Sequence, residues 1–290
     1  MTRSTGRFVG YDCIIESDID IWGADPCGAE GADPPDIRVT ARPALSSSPP
    51  DAGIYRWTGE YLDFQPPGVG RFRCRDGDSI EVAATPGADP ESIRALLIAT
   101  ALPALLWMRG AFVLHAAAVL LPGQDRALAI AGPSGAGKST LVDQLIARGA
   151  HLIADDTVRL SLTDGAVSAS GLPGGYFIRN DGDPERCFRE TPTETRRRRA
   201  PLGALVFLSR HPEAAASITR LSAIGTVERL LANRHRPKVV DILGRQVSVL
   251  RDCASIAHRV LAYDWRREEN APDLTSVDWE TLVNSVRGDE

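Results

Sequence analysis

The pattern of apolar and polar positions changes at about residue 88. Before it, apolar residues follow no helical period, and short runs at 54–57, 61–64 and 70–74 are typical of strands. The sequence Arg75-Asp76-Gly77-Asp78, which precedes another apolar run, favours a hairpin turn because glycine tolerates the positive φ needed there. We therefore predict a small β-rich N-terminal domain over residues 1–88.

A linking helix is predicted next, over residues 89–110. Asp89 can cap it, Pro90 suits its first position, Pro103 is expected to kink it, and Gly110 is expected to end it. Its most apolar stretch, 95–107, is shorter than the roughly 20 residues of a membrane span, so we expect no membrane association. A wide apolar face predicts that the helix is buried, and it is formed by Ile93, Leu96, Leu97, Ala101, Leu105 and Trp107.

After residue 110, apolar strands and amphipathic helices alternate, which predicts an α/β domain over residues 111–290. The segment 172–201 is polar and is predicted to be irregular. Helices are expected at 140–148, 226–232 and 277–286. Strands are expected at 111–121, 126–131, 151–154, 157–160, 166–169, 204–208 and 258–265.

Composition excludes several classes of protein. The 290 residues are 43% hydrophobic, enough for one large domain or two modest ones. A net charge of −5 argues against a nucleic-acid partner. Five scattered cysteines without a CxxC pair argue against a disulfide framework or a zinc ribbon, and the first residues lack the apolar segment of a signal peptide. We expect a cytoplasmic protein.

The strongest chemical signal is Gly132-Pro133-Ser134-Gly135-Ala136-Gly137-Lys138-Ser139, a GxxxxGK[ST] motif between a predicted strand and a predicted helix. Glycines let backbone N–H groups surround a phosphate, and the helix N-terminus adds its positive dipole end. Lys138 supplies charge to the β- and γ-phosphates, and the Ser139 hydroxyl can ligate Mg²⁺. The motif predicts a nucleoside triphosphate site, rather than a chance glycine-rich turn, at Gly132, Ser134, Gly135, Ala136, Gly137, Lys138, Ser139 and Thr140.

Two adjacent carboxylates, Asp155 and Asp156, follow the next predicted strand. Ligands gather at the carboxyl ends of strands in α/β sheets. One carboxylate could orient Mg²⁺, and the other could accept a proton from an attacking hydroxyl, an effect of about 10²–10⁴ in rate. A surface turn would carry the same pair, but beside a phosphate-binding loop we favour the catalytic interpretation.

His115 and an arginine run are ambiguous in sequence. His115 lies in an apolar strand and is either a satisfied core residue or a partner of the phosphate. The run 196–199 is either a solvated segment or the source of a guanidinium that stabilises the transferred phosphoryl group, and Arg199 is then the expected residue. The glycine-rich segment 171–179 is typical of a mobile substrate loop and equally of an ordinary turn.

The order LHAAAV, AIAGPSGAGKSTL and GAHLIADD resembles the catalytic domain of HPr kinase/phosphorylase, a bacterial serine kinase family whose fold is similar to that of phosphoenolpyruvate carboxykinase. The resemblance covers about residues 110–210 and implies a P-loop kinase core. It implies Asp155 as the base on the substrate serine, Asp156 and Ser139 at the metal, and His115 beside the phosphate. Residues 1–88 do not look like the regulatory domain of HPr kinases, so HPr is not the expected acceptor.

The whole-chain pattern is closer to HPr-kinase-like proteins of peptide-biosynthesis clusters, in which a β-rich part precedes a helix ending in an Arg-Gly pair, here Arg109-Gly110, and then LHA. Some of those proteins resemble lasso-peptide kinases. HPr kinases form hexamers, so a homo-oligomer is a further expectation from the resemblance.

These features predict an ATP- and Mg²⁺-dependent kinase that phosphorylates a serine or other hydroxyl of a peptide or protein, with a lasso-type precursor peptide as the first choice. Two alternatives stay open: a P-loop ATPase or nucleotide-binding switch, and a small-molecule kinase. An ATPase usually has its acid after a longer intervening segment, and the run 204–208 ends in Ser209-Arg210. An open groove beside Asp155 would favour a peptide over a small molecule.

Overall fold

In a computed structural model, the chain forms two large β-sheets and a small number of helices. The structure describes residues 5–27, 33–46, 48, 50–51, 55–163, 165–179, 186–211, 217–268 and 274–288. The predicted mixed α/β class is confirmed. Isoleucine 54, at the start of the predicted run 54–57, lies outside the described residues.

The N-terminal sheet has eight strands in the order β3-β1-β2-β4-β8-β7-β6-β5. The predicted strand at 61–64 and the predicted hairpin after it are confirmed, and the turn places Asp76 and Gly77 at positive φ (54° and 75°). The strands are β1 Gly6–Gly10, β2 Cys13–Ser17, β3 Asp25–Pro26, β4 Ile37–Ala41, β5 Arg56–Trp57, β6 Tyr61–Phe64, β7 Gly70–Arg75 and β8 Ser79–Ala84.

A buried carboxylate joins neighbouring strands of this sheet. Asp63 is fully buried and accepts a hydrogen bond from Arg73 (Nε to Oδ1, 2.8 Å) and another from Arg71. Burial alone would raise the pKa of Asp63, but the hydrogen bonds and charges of Arg73 and Arg71 outweigh it, and the pKa lies below its ordinary value.

The linking helix is a continuous helical run with a π-helical turn in its middle. It consists of α1 Pro90–Leu96, a π-helical segment Leu97–Ala101, and α2 Leu102–Met108. Asp89 caps α1 by accepting from the backbone N–H groups of Glu91 and Ser92, as predicted. Pro103 lies in the first turn of α2, immediately after the π-helical segment. Proline has no N–H to donate to the carbonyl one turn earlier. The π-helical hydrogen-bond pattern before Pro103 accommodates the missing donor.

The run Pro90–Met108 is long and apolar enough, by length and composition, to cross a membrane. The stretch 95–107, considered above, is too short to do so. Half of its most apolar part is buried inside the protein, and Leu102, Leu105 and Trp107 have no exposed surface. Burial of this kind is typical of a core helix.

The second sheet runs β10-β9-β12-β13-β16-β18-β17, with β11 paired to β9 and with β10 also paired, in parallel, to β16. Its strands are β9 Phe112–Leu120, β10 Ala127–Ala131, β11 His151–Ala154, β12 Thr157–Thr163, β13 Ala166–Ser170, β16 Arg199–His211, β17 Ser217–Arg220 and β18 Leu261–Glu268, beside a separate hairpin of β14 Gly175–Arg179 and β15 Arg186–Glu190. The helices are α3 Lys138–Ala147, α4 Ala223–Ala232, α5 Pro237–Ile242, α6 Gln246–Ala257 and α7 Ser276–Arg287.

The segment 172–201 departs from the prediction. It was expected to be irregular, but it holds β14, β15 and the first residues of β16. Phe177 and Phe188 are cross-strand partners in this hairpin, and their rings are 5.2 Å apart. Contact between two aromatic side chains stabilises such a pair of short strands.

One hydrophobic cluster contains residues of both sheets and of the linking helix, including Phe72, Leu105 and Leu114. The linking helix therefore packs between the two sheets and does not act as a free connector. The division into domains at residues 88 and 110 stays a prediction.

Candidate active site

The loop 132–139, which we call the phosphate loop, connects β10 to α3. Gly132 has φ 155°, and a Cβ there would lie 2.4 Å from the Leu208 carbonyl oxygen, so this position requires glycine. Gly137 has φ 94° and immediately precedes the ten-residue helix α3, whose N-terminus faces the loop. A helix N-terminus behind a glycine-rich turn is a typical anion site.

A cavity of about 390 Å³, which we call the phosphate cavity, lies against this loop. Three further parts of the chain line it: β9 through His115, the junction of β11 and β12 through Asp155 and Asp156, and β14 through Phe177. The structure therefore brings six of the eight predicted nucleotide residues, the aspartate pair and His115 to this cavity, whereas Gly132 and Ala136 belong to the same loop but do not line it. The loop residues that line it are Ser134, Gly135, Gly137, Lys138, Ser139 and Thr140.

The Lys138 ammonium is buried at the centre of the site. Its Nζ donates to the carbonyl oxygens of Gly132 (2.7 Å) and Pro133 (3.2 Å) and contacts His115 Nε2 at 3.2 Å. Because Lys138 can only donate, Nε2 of His115 is the acceptor and the imidazole proton lies on Nδ1. Burial first, and then the Lys138 charge, lower the pKa of His115 against the opposing effect of Asp156.

The aspartate pair occupies the junction between two strands that both pair with β9. Ala154 of β11 lies opposite Ala118, and Thr157 of β12 lies opposite His115. Between them, the Thr157 N–H donates to the Asp155 carbonyl at 2.7 Å, and Asp156 has φ 65°. A non-glycine residue at positive φ is uncommon, although aspartate tolerates it better than most. The tight turn directs both carboxylates towards the phosphate cavity.

Asp155 is held from the β14–β15 hairpin. Its Oδ2 accepts a hydrogen bond from the Phe177 backbone N–H at 2.9 Å. The same carboxylate lines the phosphate cavity and a second, smaller cavity on the hairpin side. Asp155 therefore lies where a hydroxyl and a phosphoryl group could meet.

Asp156 lies between two imidazoles. His115 Nδ1 is 3.3 Å from Asp156 Oδ1, and His235 Nε2 is 3.5 Å from Asp156 Oδ2. Burial alone would raise the pKa of Asp156, but the hydrogen bond from His235 and the electrostatic effects of His115, His235 and Lys138 hold it well below its usual range. Asp156 is therefore a stable anion.

His235 is a site residue that the sequence did not reveal. It is buried, and its ring stacks on that of His115 at 5.5 Å. Its backbone N–H donates to Val113 at 2.9 Å, and its carbonyl accepts from Trp107 Nε1 at 2.8 Å. Its sequence neighbours are two arginines, which is typical of a solvated segment, so the sequence carries no usable signal for it.

The residues present fit a magnesium ion. Mg²⁺ takes oxygen ligands and keeps several waters, and the Ser139 hydroxyl and the Asp156 carboxylate line the same cavity. The ligand atoms of His115, Asp156 and His235 lie within 4.8 Å of one another, a set that would also suit a divalent ion with nitrogen ligands. Asp156 belongs to both sets.

Arg199 is placed differently from the other predicted site residues. In the described part of the chain its guanidinium contacts Asp12 (Nη1 to Oδ2, 3.0 Å) and Ser168 (Nε to Oγ, 3.0 Å), and it does not line the phosphate cavity. Among the described residues, Arg210 contacts the phosphate loop, and its Nε donates to the Ala136 carbonyl at 3.1 Å. The structure thus does not bring Arg199 to the aspartate pair.

No protein-family model matches this chain, and no curated protein matches it. A solved structure of the HPr(Ser) kinase/phosphatase from Coxiella burnetii is similar to it, with 14% sequence identity and a TM-score of 0.36. The similarity covers 60% of this chain and 95% of that chain. At this level it carries no argument about the site, so the functional conclusion depends on the geometry described above.

Proposed function

We propose that this protein is an ATP- and Mg²⁺-dependent cytoplasmic kinase that phosphorylates a serine or other hydroxyl of a peptide or protein. The observation that carries the proposal is the phosphate cavity itself. Lys138 and the first residues of α3 line the same cavity as Asp155 and Asp156. A cavity that combines phosphate-binding groups with carboxylates suits phosphoryl transfer.

Each residue then has a role in the transfer. Asp155 accepts the proton of the acceptor hydroxyl, whose oxygen forms a bond to the γ-phosphorus while the bond from that phosphorus to the β,γ-bridging oxygen breaks, and ADP leaves. Lys138 and the amides of the phosphate loop stabilise the negative charge on the phosphates. Ser139 and Asp156 would hold Mg²⁺, which neutralises charge on the phosphate oxygens when bound. His115 contacts Lys138 through Nε2 and Asp156 through Nδ1, and so it holds the two side chains in position.

The test is phosphorylation of candidate lasso-type precursor peptides with Mg-ATP, followed by mass spectrometry. Wild-type protein is expected to add one phosphate to a serine. Asp155→Asn is expected to lower the transfer rate by about 10²–10⁴ while nucleotide affinity stays near the wild-type value. Lys138→Ala is expected to weaken nucleotide binding directly.

Asp125→Asn is the matched control, because Asp125 is exposed in the turn between β9 and β10. Equal loss of binding and transfer in Asp155→Asn would contradict its role as the base. If the wild-type protein only hydrolyses ATP and transfers phosphate to none of the acceptors offered, the result would favour the ATPase over the kinase.

A further inference from the structure

A second cavity, of about 240 Å³, adjoins the phosphate cavity and shares Asp155, Asp156 and Phe177 with it. None of its described lining belongs to the phosphate loop. The aspartate pair therefore forms the boundary between a polar cavity and this one. We call it the aromatic cavity, because its other walls include Trp22, Phe177 and Phe188.

Besides the aspartate pair, three separate parts of the chain contribute to the aromatic cavity. Trp22 comes from the N-terminal region, Ala95 and Ile98 from the linking helix, and Phe177 and Phe188 from the β14–β15 hairpin. The Trp22 ring stacks on Phe188 at 5.9 Å and meets the edge of Phe177 at 5.8 Å. All three rings remain partly exposed. Partly exposed aromatic side chains gathered in a concave site are typical of a ligand pocket.

Backbone hydrogen bonds hold the hairpin, and with it the Phe177 and Phe188 rings, next to Asp155. Phe177 donates its N–H to Asp155 (2.9 Å), and Gly174 donates to the Gly23 carbonyl (2.7 Å). A Cβ on Gly175 would lie 2.3 Å from the Phe188 ring, so glycine there leaves room for that ring. The hairpin thus fixes an aromatic wall to the carboxylate that would meet the acceptor hydroxyl.

Size and charge restrict what can enter. A cavity of about 150 Å³ is large enough to bind benzene, whereas pockets for drug-sized ligands begin at about 300 Å³. At about 240 Å³, the aromatic cavity suits one large side chain. Its ionisable lining residues in the described chain are Asp155 and Asp156, so an acidic group would be repelled.

We propose that the aromatic cavity binds an apolar or aromatic side chain of the acceptor, next to the residue that carries the reacting hydroxyl. This inference rests on the kinase function proposed above. Because neighbouring Cα atoms are about 3.8 Å apart, a hydroxyl at Asp155 brings the side chains of adjacent residues within reach of the cavity. The cavity therefore selects the sequence around the acceptor serine, and the phosphate cavity does not.

The experiment compares short synthetic peptides with one serine, flanked on both sides by Phe, Leu, Ala or Asp and otherwise identical. We expect kcat/KM for the Phe and Leu peptides to exceed that of the Ala peptide by about tenfold or more, with the Asp peptide poorest. Trp22→Ala and Phe188→Ala are expected to remove this preference without changing the affinity for ADP. Trp57→Ala, in β5 of the N-terminal sheet, is the matched control.

Peptide binding, measured calorimetrically with a non-transferable ATP analogue, separates this inference from the kinase function. If no peptide is phosphorylated but the Phe peptide binds best, and Trp22→Ala and Phe188→Ala both abolish that preference, the cavity assignment holds and the kinase function fails. Equal kcat/KM and equal binding for all four peptides would overturn the cavity assignment. A preference for Phe that survives in both variants would overturn it as well.

Discussion

Arg236 donates its Nε–H to the carbonyl oxygen of Ala99 at 2.7 Å. In a regular α-helix this carbonyl would accept from residue 103, which is a proline without an N–H. The arginine therefore supplies a donor where Pro103 has none. Because His235 directly precedes Arg236, the same contact ties the linking helix to the segment that reaches Asp156.

Replacing this arginine should destabilise the protein. Arg236→Ala is expected to lower the free energy of unfolding by about 1.5–3 kcal/mol, the range for a hydrogen bond to a charged group. Urea unfolding measures the change. Arg251→Ala, at an exposed position of α6, should change stability by no more than about 0.5 kcal/mol. Equal effects of the two substitutions would contradict the assigned role of Arg236.

His235 is expected to position Asp156 for the metal. In His235→Ala, the Asp156 carboxylate loses a hydrogen-bond donor. The affinity of the protein–ADP complex for Mg²⁺ should therefore fall about 10- to 100-fold, the usual cost of removing a residue that orients a metal ligand. Titration calorimetry measures this directly. His235→Gln retains an N–H donor and should restore part of the affinity.

The matched control for this prediction is His258→Ala, because His258 is exposed at the end of α6. Unchanged Mg²⁺ affinity in His235→Ala would show that the imidazole serves only to pack the segment. A loss in His258→Ala of the same size would show that the effect is not local.

Lysine labelling offers a test of the nucleotide site within one chain. Lys138 and Lys238 are its two lysines; Lys138 is buried in the site and Lys238 is exposed. With an amine-reactive reagent and peptide mass spectrometry, Lys238 should react at the same rate with and without Mg-ADP. Lys138 should react more slowly and be protected further by Mg-ADP. Protection of Lys238, or no protection of Lys138, would contradict the site.

Asp63 makes the stability of the protein depend on pH. Its pKa is lower in the folded protein than in the unfolded chain, so its contribution is complete above the unfolded value of about 3.9 and is lost as pH falls through the folded value. Asp63→Asn should lower the free energy of unfolding at neutral pH by about 3–5 kcal/mol, because it leaves buried arginines without their carboxylate.

Urea unfolding at neutral and acidic pH checks this prediction. The difference between wild type and Asp63→Asn should shrink as the pH falls below about 4. Asp125→Asn should show no such difference. A difference in the free energy of unfolding between the wild type and Asp63→Asn that stays constant with pH would show that the ion pairs are not its source.

The sequence predicted the features that depend on neighbouring residues. The phosphate loop is recognisable because strand, glycines, lysine and helix are contiguous, and the turn at Asp76-Gly77 because its conformational demand is local. His235 could not be found this way, since it approaches Asp156 only through the pairing of Leu114 with Arg234. Nothing in the residues around it indicates that contact.

The β14–β15 hairpin and Arg199 show the same limit. Neither strand of the hairpin has a strong pattern alone, and the pairing of Phe177 with Phe188 becomes visible only in three dimensions. Arg199 shortly precedes the predicted core strand at 204–208 in sequence, but its side chain contacts Asp12, a residue of the N-terminal part. Tertiary contacts, not local sequence, decide where such side chains lie.

Strand β9 contacts most parts of the candidate site. It pairs with β10 before the phosphate loop, with β11 and β12 around the aspartate pair, and with the segment that carries His235, while it supplies His115 itself. Its central residues, Ala116, Ala117 and Ala118, have no exposed surface. A larger side chain there would overpack the strand and shift the neighbouring strands that hold the phosphate loop and the aspartate pair, so the spacing of these groups depends on three alanine side chains.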